Sequence, residues 1–204
     1  MTASAFVVLE GGEGSGKSTQ ARLLAGRLEG EGREVVLTFE PGATPRGAAL
    51  RAALLDDDRP LDPRAELLLL SADRAQHVEE VIRPALERGA IVVCDRHAPS
   101  SIVYQGDARG LGVDSVAEIC RYATGGLLPD VVVVLDVSER VASERRPEAT
   151  DRIERAGPEF HARVRAAYRS LAPQFGWLLV DGEGTPDVVA ERVRATVSPV
   201  VDRR

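Results

Sequence analysis

Lysine, cysteine and aromatic residues are scarce in this chain. Of its 26 basic residues only Lys17 is a lysine, and the chain has just two cysteines and 4% aromatic residues. Two cysteines are too few for a disulfide scaffold, and the positions of Cys94 and Cys120 do not have the spacing of metal ligands. Both thiols are therefore expected to be reduced.

Long apolar runs and an excess of positive charge are also missing. No stretch approaches the roughly 18 apolar residues of a membrane span, and the first residues lack the basic and apolar parts of a signal peptide. The net charge of −6 provides no overall basic field for DNA or RNA. We therefore expect a cytoplasmic protein whose partners include neither a membrane nor a nucleic acid.

The length and the apolar content favour one domain over residues 1–204. With 204 residues and 44% hydrophobic residues, the chain can bury one sizeable core. Five short apolar runs are continuous, which is typical of strands buried on both faces of a parallel sheet. These runs lie at 6–9, 35–39, 91–94, 131–135 and 177–180, and amphipathic segments of helical length lie at 18–29, 64–88, 114–124 and 159–175. The alternation predicts an α/β fold, a five-stranded parallel sheet with helices on both faces.

Acidic residues follow three of the predicted strands. Glu10, Asp95 and Asp136 each come directly after an apolar run. Ligands of open parallel sheets bind beyond the carboxyl ends of the strands, where these side chains meet at one edge. The sequence therefore predicts a site on this edge.

A phosphate-binding loop lies between the first predicted strand and the first predicted helix. Residues 11–18 read GGEGSGKS, which matches the pattern G-x-x-x-x-G-K-S. In such loops the backbone N–H groups and the helix N-terminus bind phosphates, the lysine contacts the β and γ phosphates, and the hydroxyl that follows binds Mg²⁺. A compact ammonium fits there, whereas the arginine fork is broader. The residues expected to bind ATP are Gly11, Gly12, Glu13, Gly14, Ser15, Gly16, Lys17, Ser18 and Thr19.

Several motifs further along the chain occur in a fixed order. They are Glu40-Pro41-Gly42, the segment 72–76, Asp95-Arg96-His97, the run 100–106 with sequence SSIVYQG, and the segment 151–154. Together they resemble the thymidylate kinase family over about residues 5–185. The resemblance implies the three-layer fold of P-loop nucleoside monophosphate kinases, ATP and dTMP as substrates, and a homodimer.

The resemblance also implies how dTMP is held. Arg51 and Arg96 would bind its phosphate, for which a guanidinium fork is well suited, while Arg74 and Ser101 would bind the thymine edge. Since a phosphate monoester is mostly dianionic near neutral pH, no general base is required. The substrate-binding residues implied in this way are Glu40, Arg51, Leu70, Arg74, Arg96, Ser101, Tyr104 and Gln105.

The remaining implied roles concern the metal and a lid. Mg²⁺ would lie near Ser18, Asp95 and Glu13. A lid at about 145–157 would supply cations for the transition state, because the phosphate loop carries an acidic residue where some members have a basic one. The predicted catalytic set is Lys17, Asp95, Arg96, Arg145, Arg146 and Arg152.

Two positions depart from the family pattern. Leu70 occupies the place of the aromatic residue that stacks on thymine, and Phe39 stands where many members have an arginine. Two alternatives to a dTMP kinase therefore remain: a kinase for another nucleoside monophosphate, and a non-catalytic nucleotide-binding switch. A guanine switch is disfavoured, because its usual Asn-Lys-x-Asp segment requires a second lysine.

Overall fold

A computed structural model describes residues 4–55, 61–145 and 153–202. The strands are β1 (Ala5–Glu10), β2 (Val35–Phe39), β3 (Ile91–Asp95), β4 (Val131–Asp136) and β5 (Leu178–Asp181). The helices are α1 (Lys17–Gly30), α2 (Pro45–Leu55), α3 (Pro63–His77), α4 (Arg83–Glu87), α5 (Ala98–Ser101), α6 (Val113–Ala123), α7 (Glu139–Arg145), α8 (Pro158–Phe175) and α9 (Pro186–Val201). The five predicted strands are confirmed to within two residues at either end.

The five strands form one parallel sheet in the order β2-β3-β1-β4-β5. Alternate residues of β1 enter two separate apolar clusters, one on each face. Phe6 packs with residues of α3, α6 and α8, and Val7 packs with residues of α1 and α9. The chain therefore builds the three layers that its continuous apolar strands predict, because each strand needs cover on both sides.

The predicted helix at 64–88 is interrupted in the structure. Between α3 and α4 the segment Val78–Ile82 is π-helical. Proline has no backbone N–H, and its ring collides with the carbonyl four residues earlier in a regular α-helix. The wider turn before Pro84 accommodates both effects.

Three strands end in carboxylates on the same edge of the sheet, as expected. Leu9 pairs with Asp95 across β1 and β3, and Asp136 ends β4 beside β5. Glu10 ends β1 between them. The phosphate loop and α1 leave the sheet from this edge, which places the candidate site there.

Candidate active site

The phosphate loop joins β1 to α1 and turns tightly around the Lys17 side chain. Gly14 and Gly16 have φ angles of 75° and 92°, which a side chain would oppose. The Lys17 ammonium donates to the carbonyl of Gly12 at 2.8 Å and to Ser15 Oγ at 3.4 Å. Its side chain is only 6% exposed, and burial lowers its pKa. Because α1 begins at Lys17, the free N–H groups of its first turn are available to an anion.

Ser18 and Asp95 lie side by side at the start of α1 and the end of β3. The Ser18 hydroxyl donates to Asp95 Oδ2. Asp95 Oδ1 is buried and has no hydrogen-bond partner among the described residues. A hydroxyl beside a carboxylate with a spare oxygen is a donor set that suits Mg²⁺, which usually takes one or two protein oxygens and completes its shell with phosphates and water. The described residues contain no cluster of three or more His, Cys, Asp or Glu that could hold a metal by themselves.

An ion pair links the phosphate loop to Arg96. The Arg96 guanidinium donates to Glu13 Oε1, to Ser100 Oγ at 3.3 Å and to Tyr104 Oη at 3.4 Å. Arg96 lowers the pKa of Glu13 to about 2, although burial alone would raise it. Of the three residues predicted to lie near the metal, Glu13 contacts the Arg96 guanidinium, and Ser18 and Asp95 contact each other.

The backbone of Arg96 is strained. Its φ is 69°, the only positive value for a residue other than glycine in the described chain. A left-handed conformation costs about 1–2 kcal/mol for a residue with a Cβ. The Arg96 N–H is held by the carbonyl of Leu9 at 3.0 Å, and the side chain is fixed by its partners. The fold therefore keeps a strained backbone at Arg96, and in this conformation the guanidinium points at the phosphate loop.

Glu10 is an internal anchor for the turn after β3. Its carboxylate accepts the N–H of His97 at 2.8 Å, the N–H of Ser100 at 3.1 Å and the hydroxyl of Tyr168 at 2.7 Å. Glu10 is fully buried, so it does not face a ligand. Its role is to hold the turn that carries Arg96. Sequence reasoning placed Glu10 on the correct edge but had no signal for these partners, which lie up to 158 residues away.

Glu40 is the centre of a second buried network. Its Oε1 accepts from Nδ1 of His97 at 2.7 Å and from Nδ1 of His77 at 3.0 Å, and its Oε2 accepts from Nε of Arg74 at 2.9 Å. Burial would raise the pKa of Glu40, but His97 and Arg74 outweigh it and hold that pKa well below its usual range. The resemblance implied that Glu40 binds the substrate, and the structure shows a carboxylate bound by three side chains.

Four of the five donors of Arg74 are occupied within the protein. Besides Glu40, its guanidinium donates to Cys120 Sγ at 3.3 Å, to the carbonyl of His97 at 3.2 Å and to Ser101 Oγ at 3.1 Å. One Nη1 hydrogen remains. Ser101 accepts from Arg74 and also forms a hydrogen bond with the Cys120 thiol. Arg74 and Ser101 are thus fixed in position, and Arg74 has one donor left.

These residues surround one cavity of about 640 Å³. Of the residues predicted to bind substrate or metal, the following line it: Glu13, Lys17, Ser18, Glu40, Arg51, Leu70, Arg74, Asp95, Arg96, Ser101, Tyr104 and Gln105. Arg51 donates to the carbonyl of Pro41 at 2.8 Å, and Gln105 donates to Glu66 at 2.7 Å. The structure therefore brings all eight predicted substrate-binding residues together.

Arg145, the one predicted lid arginine that the structure describes, is not part of this group. Arg145 donates to the carbonyls of Gly182 and Gly184 at 2.8 and 2.9 Å, in the loop after β5. Arg146 and Arg152 lie outside the described residues. Within the segment predicted to be a lid, Ile153 lines the cavity.

The two residues that depart from the family pattern both face the cavity. Leu70 is half-buried on α3, one turn before Arg74, and Phe39 is 46% exposed at the end of β2. Both provide apolar surface. Sequence reasoning missed Arg22 of α1, which lines the same cavity.

An aromatic side chain at position 70 tests whether the thymine base lies beside Leu70. Leucine covers a ring by apolar contact only, whereas phenylalanine adds a stacking face worth about 0.5–1.5 kcal/mol. If the base of dTMP lies beside Leu70, as the resemblance implies, Leu70→Phe should lower KM for dTMP by about twofold to tenfold, measured in a coupled assay of ADP release. Leu128→Phe is the control, because Leu128 is 70% exposed and does not line the cavity. A raised KM for dTMP in Leu70→Phe would show that this side chain is not beside the base.

The parallel sheet, its phosphate loop and the cationic cavity next to that loop define a P-loop nucleoside monophosphate kinase. The model of the family named Thymidylate kinase matches residues 9–193. The thymidylate kinase of Leifsonia xyli subsp. xyli is 49% identical over 194 residues, which is 93% of this chain and 92% of that protein. The thymidylate kinase of Thermomicrobium roseum is 47% identical, over 97% of this chain and 96% of that protein.

A crystal structure of thymidylate kinase from Ehrlichia chaffeensis has a TM-score of 0.80 and 28% identity, and the match covers 96% of this chain and 99% of that one. The chain therefore belongs to the thymidylate kinase family, whose members phosphorylate dTMP to dTDP with ATP. It is a phosphotransferase. Among the described residues, no helix is long and apolar enough to cross a membrane.

Proposed function

We propose that phosphoryl transfer from ATP to dTMP takes place in the described cavity, with ATP bound at the phosphate loop. The charge of the cavity wall carries this assignment. Among the described residues, the wall contains five basic residues, Lys17, Arg22, Arg51, Arg74 and Arg96, against three carboxylates, Glu13, Glu40 and Asp95, a surplus of two positive charges. A phosphate monoester is mostly dianionic at neutral pH and matches that surplus.

Each wall of the cavity fits one part of the acceptor. Arg51 and Arg96 would hold the phosphate, because both residues line the cavity and arginine pairs with phosphate in a bidentate manner. Arg74, with its remaining Nη1 donor, and Ser101 would read the pyrimidine edge. A uracil-type carbonyl accepts such donors, whereas the amino group of cytosine in the same place would leave them unpaired, which discriminates strongly. Tyr104 and Gln105 complete the wall beside them.

The reaction needs charge stabilisation rather than a base. Since the acceptor is already ionised, catalysis consists of holding two polyanions in line and offsetting the charge on the transferred group. We propose that Lys17 and Arg96 do this from the two sides, since Arg96 is tied to the loop that contains Lys17. Arg145, Arg146 and Arg152 are proposed as further cations from the lid.

Mg²⁺ is the proposed divalent metal. Ser18 and Asp95 would hold it directly or through water, together with phosphate oxygens, and its role when bound is to neutralise phosphate charge. The Asp95 oxygen that has no partner among the described residues supports this assignment.

A panel of acceptors tests the proposal. ADP release should be fastest with dTMP, slower with dUMP, and at least about a hundredfold slower in kcat/KM with dCMP, CMP and AMP, because the wrong base leaves buried donors unpaired. Comparable rates with a second monophosphate would favour the other candidate, a broader nucleoside monophosphate kinase, which Leu70 in place of an aromatic residue supports. Binding of an ATP analogue without binding of any monophosphate would instead indicate a switch.

We also propose that the chain forms a homodimer and acts in the cytoplasm. Support for the dimer comes from the outer face of α2 and α3, where Leu68 is 60% exposed and Ala72 lies one turn further on. Such a face is suited to helix packing between two copies. Support for a reducing compartment comes from Cys120, whose thiol is buried beside Arg74. The mass of the full chain in solution tests the dimer.

A further inference from the structure

Arg22 differs from the other cations of the cavity. It lies on α1, four residues after Ser18, so that both side chains are on one face of the helix about 6 Å apart along its axis. It lines the cavity and is exposed. Within the described part of the chain, the other four cations have a protein acceptor, as set out above, while Arg22 forms no hydrogen bond or ion pair.

The charge surplus can be assigned to particular residues. Glu13 pairs with Arg96, and Glu40 pairs with Arg74. Asp95 is the remaining carboxylate, and it lies close enough to Lys17 to stabilise the ammonium form. Among the described lining residues, the two positive charges left over belong to Arg22 and Arg51. Within that part of the chain the Arg51 guanidinium donates only to a neutral carbonyl, that of Pro41, so both guanidinium groups are available to a dianion.

The cavity that Arg22 lines has apolar as well as charged residues in its wall. Leu37, Phe39 and Leu54 belong to that wall and have no charge or acceptor in their side chains. A charged pair beside apolar walls is less screened than one in open solvent. Arg22 has no carboxylate partner within the described chain, so its guanidinium is available to an anionic ligand in this cavity.

We propose that Arg22 binds the phosphate of the acceptor monophosphate, together with Arg51. This inference rests on the proposed location of the acceptor in the cavity. It extends the acceptor site to α1, the helix that also carries Lys17 and Ser18. One rigid helix would then contact the donor phosphates at its first turn and the acceptor phosphate one turn later.

The test compares dTMP with thymidine, which has the same base and sugar but no phosphate. Arg22→Gln should raise KM for dTMP by about tenfold, the expected loss of one charge-assisted contact. Its kcat should change by less than about threefold, and the Ki of thymidine as a competitive inhibitor should stay the same. Arg22→Lys keeps the charge and should recover most of the loss. The matched control is Arg27→Gln on the same helix, where the arginine pairs with Glu31 and Glu191 outside the cavity.

Two results would overturn the proposal. One is a KM for dTMP in Arg22→Gln within twofold of the parent, and the other is an equal loss of dTMP and thymidine affinity, which would show that Arg22 only shapes the pocket. Arg51→Gln separates this inference from the proposed site. If Arg51→Gln raises KM for dTMP and Arg22→Gln does not, only the proposed role of Arg22 is wrong. If neither variant changes KM for dTMP, the acceptor binds elsewhere.

Discussion

Glu40→Gln is expected to lower the free energy of unfolding by about 3 kcal/mol or more. The substitution keeps the shape of the side chain but removes the charge that Arg74 faces, and removal of one partner of a buried ion pair typically costs about 3–5 kcal/mol. Arg74 is 2% exposed, so water cannot replace the carboxylate. Urea denaturation followed by circular dichroism measures the change. KM for dTMP should rise as well, because Glu40 fixes the guanidinium proposed to read the base.

The control for this variant is Glu34→Gln. Glu34 pairs with Arg88 at 2.6 Å, but both side chains are about half exposed, and such pairs contribute about 1 kcal/mol at most. Adding Arg74→Met to Glu40→Gln removes the unpaired charge and should recover part of the lost stability. If the free energy of unfolding of Glu40→Gln lies within 1 kcal/mol of the parental value, this network does not stabilise the fold as proposed.

Lys17→Arg should lower kcat by about a hundredfold or more with little change in stability. The variant keeps the positive charge, but the planar guanidinium is too broad for the position that the ammonium occupies between Gly12 and Ser15. Loss of one preorganised donor at a transferred group typically costs about 10²–10³ in kcat. Initial rates at saturating ATP and dTMP measure the effect, and thermal denaturation shows that the fold is retained.

The converse exchange serves as the control. Arg27→Lys changes another basic residue of α1, one whose side chain is exposed and remote from the loop, and it should leave kcat unaltered. If Lys17→Arg retains more than a third of the parental kcat, charge rather than size is what the loop requires.

The parts of this structure that local pattern controls were predictable. Buried strands show as continuous apolar runs, and the phosphate loop is one uninterrupted motif. The sequence therefore predicted the strands of the sheet and the place of Lys17 in the phosphate loop. The π-helical turn before Pro84 was missed, because the amphipathic pattern continues through it.

Contacts between distant residues could not be predicted in the same way. Glu40 meets His77 and His97, which lie 37 and 57 residues further along the chain. Its part in that network depends on how α3 and the end of β3 pack beside β2, and no spacing rule encodes this. Arg22 was missed for a related reason. Its position is that of an ordinary exposed arginine on α1, and only the folded chain shows which cavity it lines.

The scarcity of lysine has a practical consequence for chemical probes. Apart from the amino terminus, an amine-directed reagent finds only Lys17 in the entire chain. Burial lowers the pKa of this ammonium, so the neutral, reactive amine forms at a lower pH there than in an ordinary lysine. A nucleotide that carries an acylating group would therefore label one known atom, and protection by ATP would report occupancy of the loop directly. Labelling of that kind needs no engineered handle, because the composition of the chain already provides one.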